Sequence, residues 1–303
     1  MQINFVREVT AYKNTLDSLI DPIRKYLPES TVTPKGGKEG ALNFCFFVGS
    51  QAPKPRILMS HGVADKNYIG SREKGKATKF DYLFVPGPAY KEKHTTGFIA
   101  RDRKNVEYVH ENKGYPADRI FVVGWPKLDP IFNGGYKRTP SDKIRILYAP
   151  THNAIKAVSS FPAFNEYLDK FPADFGVINS PHPCRKEDRM PTMQHLVDAD
   201  VIIADAGSTI YEAWALGKPV IFPDWLVRTG VLNIFNGAFE AQIYRENLGY
   251  HAKDFHHLLE LIPEALEKGV TDDVKEFMKG VCPAEFNGKS GKTIAEILRR
   301  LAN

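Results

Sequence analysis

Four short apolar runs in this sequence each end on residues that can hold a phosphate or move a proton. Behind Ile57-Leu-Met-Ser60 stand His61 and Gly62, then Asp65 and Lys66; behind Ile146-Leu-Tyr-Ala149 stand Thr151, His152 and Asn153. Behind Val177-Ile-Asn-Ser180 comes His182, and behind Val201-Ile-Ile-Ala204 come Asp205, Ala206, Gly207, Ser208 and Thr209. Open parallel sheets bind their ligands beyond the carboxyl ends of the strands, so polar residues at these positions are candidates for a shared site.

The most informative block is Asp205-Ala-Gly-Ser-Thr-Ile-Tyr-Glu-Ala-Trp-Ala-Leu-Gly-Lys-Pro-Val220. Small residues such as Gly207 let backbone approach a diphosphate, and Ser208 and Thr209 offer hydroxyls and amides where a helix begins and its dipole favours negative charge. Glu212, one helical turn on, has the spacing to accept both hydroxyl protons of a ribose. The same pattern also serves as a Ser/Thr cap followed by a first-turn acid, which stabilises a helix with no ligand at all.

The elements that must position these residues alternate. Phe5, Val6, Val9, Leu16, Leu19, Ile20 and Ile23 recur at helical spacing, so residues 5–27 read as an amphipathic helix. Its polar face mixes acidic and basic residues, unlike a membrane-surface helix. Runs at 43–48, 56–60, 81–85 and 119–123, bounded by turn residues, read as buried parallel strands, with a helix around 105–113. A second series at 143–149, 175–178, 200–204 and 218–222 is separated by helical patterns at 161–171 and 208–216, as in βαβ units. The Gly/Pro-rich stretch 133–141 reads as the linker. These patterns predict an α/β chain of two Rossmann-like domains facing each other across a cleft, spanning 1–135 and 142–285, with a C-terminal helical segment 286–303 packing back on the first.

With 303 residues, 43% of them hydrophobic and 25% charged, the chain is long enough for two such cores. No run approaches the roughly 18 apolar residues that cross a bilayer, and Met1-Gln2-Ile3-Asn4 opens no signal core; the expectation is a cytoplasmic protein without integral membrane contact. Cys45, Cys184 and Cys282 are odd in number and widely spaced, fitting neither a disulfide framework nor a zinc site. Net charge is +5, and Lys74, Lys76, Lys79, Lys91, Lys93, Arg101, Arg103 and Lys104 crowd one region. That region suits an anionic partner, or is a solvated lysine-rich surface.

Taken in order, several blocks resemble the CDP-glycerol glycerophosphotransferase family of teichoic-acid-type polymer enzymes. Ser60-His-Gly62 with Lys66 resembles its His-Gly block, Val123-Gly-Trp-Pro-Lys-Leu-Asp129 its Gly-x-Pro-Arg-x-Asp block, and Ile146-Leu-Tyr-Ala-Pro-Thr151 its Leu-Tyr-Ala-Pro-Thr block. His182-Pro183 and Asp205-Ala-Gly-Ser-Thr209 resemble its His-Pro and Asp-Tyr-Ser-Ser blocks. The last block departs from the pattern, with Ala-Gly in place of Tyr and Glu212-Ala213 added, which is similar to nucleotide-sugar glycosyltransferases and UDP-sugar 2-epimerases.

The resemblance implies the type B glycosyltransferase fold, with an acceptor-binding first domain and a second domain binding a nucleotide-diphosphate donor. It implies transfer of a glycosyl or glycerophosphate group to an acceptor hydroxyl, with His61 as general base and with Asp65 and His182 in the catalytic set. Gly62, Lys66, Thr151, His152, Asp205, Gly207, Ser208, Thr209 and Glu212 would hold the donor. Because positioned donors can stabilise the leaving nucleotide, neither a cofactor nor a divalent metal is expected. The acceptor would be a glycan or a polyanion; DNA is one variant, which would make the chain similar to phage enzymes that glucosylate DNA bases. A UDP-sugar 2-epimerase is the alternative enzyme class, and a non-catalytic nucleotide-binding module a third. Gly288-Lys-Ser-Gly-Lys-Thr293 imitates a phosphate loop but lacks both the leading glycine and the strand before it, and reads as a helix entry.

Overall fold

The computed structural model describes residues 1–7, 13–34, 36–67, 69, 79–101, 109–152, 156–180 and 192–303. The first half of the chain contributes β1 (Gln2–Val6), α1 (Lys13–Arg24), β2 (Thr31–Thr33), β3 (Ala41–Cys45), β4 (Arg56–Met59), β5 (Tyr82–Val85), α2 (Pro88–Thr96), β6 (Phe98–Arg101), β7 (Val109–Asn112), β8 (Ile120–Val122) and α3 (Asp129–Phe132). The second contributes β9 (Ile144–Tyr148), β10 (Phe175–Asn179), α4 (Thr192–Asp198), β11 (Val201–Ile203), α5 (Ser208–Ala215), β12 (Val220–Pro223), α6 (Asp224–Ile234), α7 (Phe239–Glu246), β13 (Tyr250–Ala252), α8 (Phe255–Lys268), α9 (Asp272–Val281) and α10 (Ser290–Ala302).

Two parallel sheets result. The six-stranded one runs β2-β1-β3-β4-β5-β8 and the five-stranded one β10-β9-β11-β12-β13. Strands such as Leu42, Phe44, Leu58 and Val85 in the first sheet, or Ile146, Leu147, Ile202 and Ile221 in the second, are buried, as a sheet covered on both faces requires. Each order reverses beside its first strand, which makes the β9/β11 gap the ligand crevice of the second sheet. α10 packs on α1 and β1, and α9 lies between α2 and α5, so the last helices tie the halves together. Among the described residues no helix is long and apolar enough to cross a membrane.

Two expectations are corrected here. Gln2–Val6 is the second strand of the first sheet, paired in parallel with both β2 and β3, and the helix begins only by Lys13. Ile3, Phe5 and Val6 are buried by sheet neighbours, a tertiary demand that overrides helical spacing. Val109–Asn112, expected within a helix, pairs antiparallel with Phe98–Arg101 as a separate hairpin. Residues 102–108 lie outside the described residues.

Candidate active site

The turn after β4 carries His61 and reaches across to the second half. Gly62 approaches α5 so closely that an added Cβ would lie 2.6 Å from Ser208 Oγ. The Ala64 amide donates to the same hydroxyl at 3.2 Å, and Lys66 Nζ donates to Thr151 Oγ1 at 2.6 Å. His61 is half-buried with its imidazole stacked on Phe47, ring centres 4.5 Å apart. The His61 turn, the end of β9 and the start of α5 therefore meet at one point.

On the second half, Thr151 follows β9, while Gly207 is the extended residue before α5, with Ser208 and Thr209 in its first turn. A Cβ on Gly207 would contact Thr151 at ordinary van der Waals distance, so this glycine packs against the residue after β9, beside the amides of a helix N-terminus. His152 is half-buried, and burial followed by the Lys66 charge holds its imidazole below the usual range, so it is neutral at pH 7.

Three residues expected in the catalytic or donor-binding sets do other work. The Asp65 carboxylate, on a residue 5% exposed, accepts from Lys93 Nζ at 2.5 Å and from the Phe239 amide at 3.0 Å. Both bonds fall on Oδ2, and they tie its turn to the second half. Asp205 is wholly buried and accepts from the amides of Thr151 (2.7 Å), Ala206 (2.7 Å) and Ser160 (2.8 Å) and from Ser160 Oγ (2.9 Å). These four bonds saturate it, so it shapes the crevice from behind instead of touching a donor; burial raises its pKa against the pull of those donors. Glu212 is 1% exposed, receives both Lys127 Nζ contacts at 2.8 Å and accepts from Trp125 Nε1 at 3.1 Å. Its helical position serves the contact with the first half, and a ribose finds no exposed carboxylate there.

The sequence reading missed Glu240 altogether. Its buried carboxylate accepts from the amides of Asp65 (2.9 Å) and Lys66 (2.6 Å) and from Tyr211 Oη (2.6 Å). Lys66 and Asn67 have φ of +44° and +51°, a left-handed turn that lets consecutive amides converge on the anion. Burial, then the neighbouring Asp65 charge, raises the Glu240 pKa, and the Tyr211 hydrogen bond opposes them. Nothing marked this residue in advance, because it lies inside an ordinary amphipathic helix. Lys93, counted among the crowded basic residues, is drawn into the same network through Asn67 Oδ1 (2.7 Å) and the Gly237 carbonyl (2.8 Å). His182, Asn153, Cys184, Lys74, Lys76, Arg103 and Lys104 lie outside the described residues.

Two parallel sheets of this order, meeting where the turn after β4 reaches the start of α5, define the double-Rossmann class to which type B glycosyltransferases belong. Within that class the chain is similar in fold to the wall teichoic acid polymerase TagF: a variant of it superposes with a TM-score of 0.66 at 14% identity, covering 99% of this chain and 89% of that one. A TagF variant soaked with CDPG gives 0.64 at 14% identity, over 99% and 88%. UDP-GlcNAc 2-epimerase from Neisseria meningitidis bound to UDP-GlcNAc gives 0.57 at 12% identity, over 99% and 100%. No family model and no curated protein matches the sequence, so the likeness is one of fold.

Proposed function

We propose that the chain is a transferase that binds a nucleotide-diphosphate donor at the β9/β11 crevice and passes a glycosyl or glycerophosphate group to an acceptor hydroxyl. The observation that carries this reading is the meeting of the His61 turn with the start of α5 through Gly62, Ala64 and Ser208. It puts a titratable imidazole and a phosphate-type helix terminus on the two sides of one junction.

In this mechanism the α5 amides, with Ser208, Thr209 and Thr151, hold the diphosphate, while Lys66, already directed at Thr151, adds a positive charge. His61 takes the proton of the acceptor hydroxyl as its oxygen bonds to the transferred group, and the bond to the leaving nucleotide phosphate breaks with its electron pair kept by that phosphate. A Cβ at Gly62 would displace the Ser208 hydroxyl from its present position. The positioned amides and Lys66 supply the charge stabilisation, so turnover without a divalent ion is part of the proposal. Both ligand-bearing structures of this fold described above, with CDPG and with UDP-GlcNAc, support a nucleotide-linked donor. The basic residues of the first half favour a polyanionic acceptor.

The test is transfer from CDP-glycerol, UDP-glucose or UDP-GlcNAc to polyol, glycerol phosphate polymer or hydroxymethylated DNA, read by product mass with chelator present. His61→Ala is expected to lower turnover by about 10²–10⁴-fold while donor binding persists; unchanged turnover in that variant would remove His61 as the base. The 2-epimerase reading is favoured by the UDP-GlcNAc-bound neighbour. Conversion of UDP-GlcNAc to its 2-epimer with no acceptor present would establish it in place of transfer.

A further inference from the structure

His61 stands at the head of a turn whose following residues are bonded one after another. The Val63 carbonyl accepts from Tyr90 Oη on α2, in the same half of the chain. The next three residues turn their amides to the second half. Ala64 donates to Ser208 Oγ on α5 at 3.2 Å, and Asp65 and Lys66 donate to the two oxygens of Glu240 on α7, at 2.9 and 2.6 Å. Asn67 Nδ2 then reaches the Asn236 carbonyl at 2.9 Å.

The contact with α7 is reciprocal. α7 begins after Ala238, whose side chain cannot cap it, and its first amide, on Phe239, donates to Asp65 Oδ2 at 3.0 Å. Asp65 therefore caps a helix of the other half, where the dipole favours its charge. Glu240, in the first turn of that helix, takes the Asp65 amide in return. This is the exchange of a capping box, made here between segments 174 residues apart. Lys93 Nζ closes it, bonded at once to Asp65 Oδ2, Asn67 Oδ1 and the Gly237 carbonyl.

Glu240 is wholly buried. For stability alone a buried carboxylate is a poor choice, since apolar residues of like volume often serve as well or better. What the carboxylate adds is direction: its oxygens stop two consecutive amides in one orientation, which the left-handed backbone of Lys66 and Asn67 makes possible. We infer that Glu240 is the positioning residue of the His61 turn, the group that sets where this turn stands relative to the α5 terminus. It touches no reacting atom and acts through the amides of Asp65 and Lys66. Its consequence for catalysis rests on the transferase reading, whereas the positioning itself can be measured with no substrate present. Glutamine keeps the size of the side chain but has one oxygen to offer, and its nitrogen would face a backbone N–H, so one end of the turn is released.

The test is amide hydrogen exchange, read residue by residue by NMR on the ¹⁵N-labelled full chain, in the parent, Glu240→Gln and Tyr211→Phe. Ala64 is the informative amide, because neither substitution alters its own partner, Ser208. The expected result is exchange at Ala64, Asp65 and Lys66 faster by at least about tenfold in Glu240→Gln, with the amides inside β9 at parent rates. Tyr211→Phe removes a bond to Glu240 and none to the turn, and should leave Ala64 within about threefold of the parent. Asp65→Asn opens the other arm of the exchange and should also release Ala64, which covers the case in which Glu240→Gln does not fold. Parent-like protection of Ala64 in Glu240→Gln, or equal release by Tyr211→Phe, would overturn the inference. In turnover, Glu240→Gln should lower kcat by at least about tenfold and by more than it raises the donor KM; a parent-like kcat with Ala64 released would overturn the inference as well. A parent that turns over none of the donors named above sinks the transferase reading alone, and the exchange at Ala64 then decides the positioning by itself.

Discussion

Burial holds the His94 imidazole at about 4, whereas in an unfolded chain it titrates near 6.5. As pH falls, the unfolded chain therefore takes up the proton first. The stability that the neutral ring contributes is complete above about 6.5 and is lost progressively toward 4, by up to about 3 kcal/mol. His94→Leu removes that titration. The difference in melting temperature between pH 7 and pH 4.5 should be visibly smaller in the variant than in the parent, and equal differences would show that His94 is solvated in the folded chain. At this scale the sequence was informative about residue types and silent about partners. That His61, Thr151, Gly207 and Ser208 would gather at strand ends was legible from the apolar runs before them. The partners of Asp65, Asp205 and Glu212 were not: a carboxylate looks alike in sequence whether it faces a ligand or, as Asp205 does, a ring of backbone amides.

The helices show what a glycine in a phosphate-like motif can be for. Gly291 stands in the first turn of α10, where a Cβ would lie 2.4 Å from the Pro22 carbonyl of α1. Ser290 and Gly291 also donate their amides to the Asp129 carboxylate, at 3.2 and 2.7 Å, which satisfies the helix start without any ligand. The glycine thus permits a close helix crossing. Gly291→Ala tests this, because alanine is intrinsically better in a helix by about 1 kcal/mol. Overpacking should reverse that preference and cost about 1–3 kcal/mol in denaturant unfolding. A stabilised variant would contradict the crossing. Helix entry at this position was legible from the missing strand and glycine of a true phosphate loop. β1 was not legible, because Phe5 and Val6 happen to continue the spacing of Leu16, Leu19, Ile20 and Ile23, and only the pairing with β2 and β3 distinguishes strand from helix.

At the scale of the whole molecule, the two halves are held against each other by buried charge as well as by apolar packing. Glu240 grips the amides of the His61 turn, Lys93 bridges Asp65 to the Gly237 carbonyl, and Lys127 meets Glu212. The contacts that join the two halves span 85 residues for Lys127 with Glu212, 144 for Lys93 with Gly237 and 175 for Asp65 with Glu240, so no local pattern could announce them. What they achieve is the registration of His61 against the α5 terminus, on which the proposed chemistry depends. The most direct measurement is calorimetric titration of the chain with CDP, UDP, CDP-glycerol and UDP-GlcNAc, repeated on Gly207→Val, which adds bulk beside the α5 amides. One nucleoside diphosphate series is expected to bind, and the variant to lose at least about tenfold in affinity, about 1.4 kcal/mol, with its melting temperature unchanged. Absence of binding by all four, or equal binding by Gly207→Val, would contradict it.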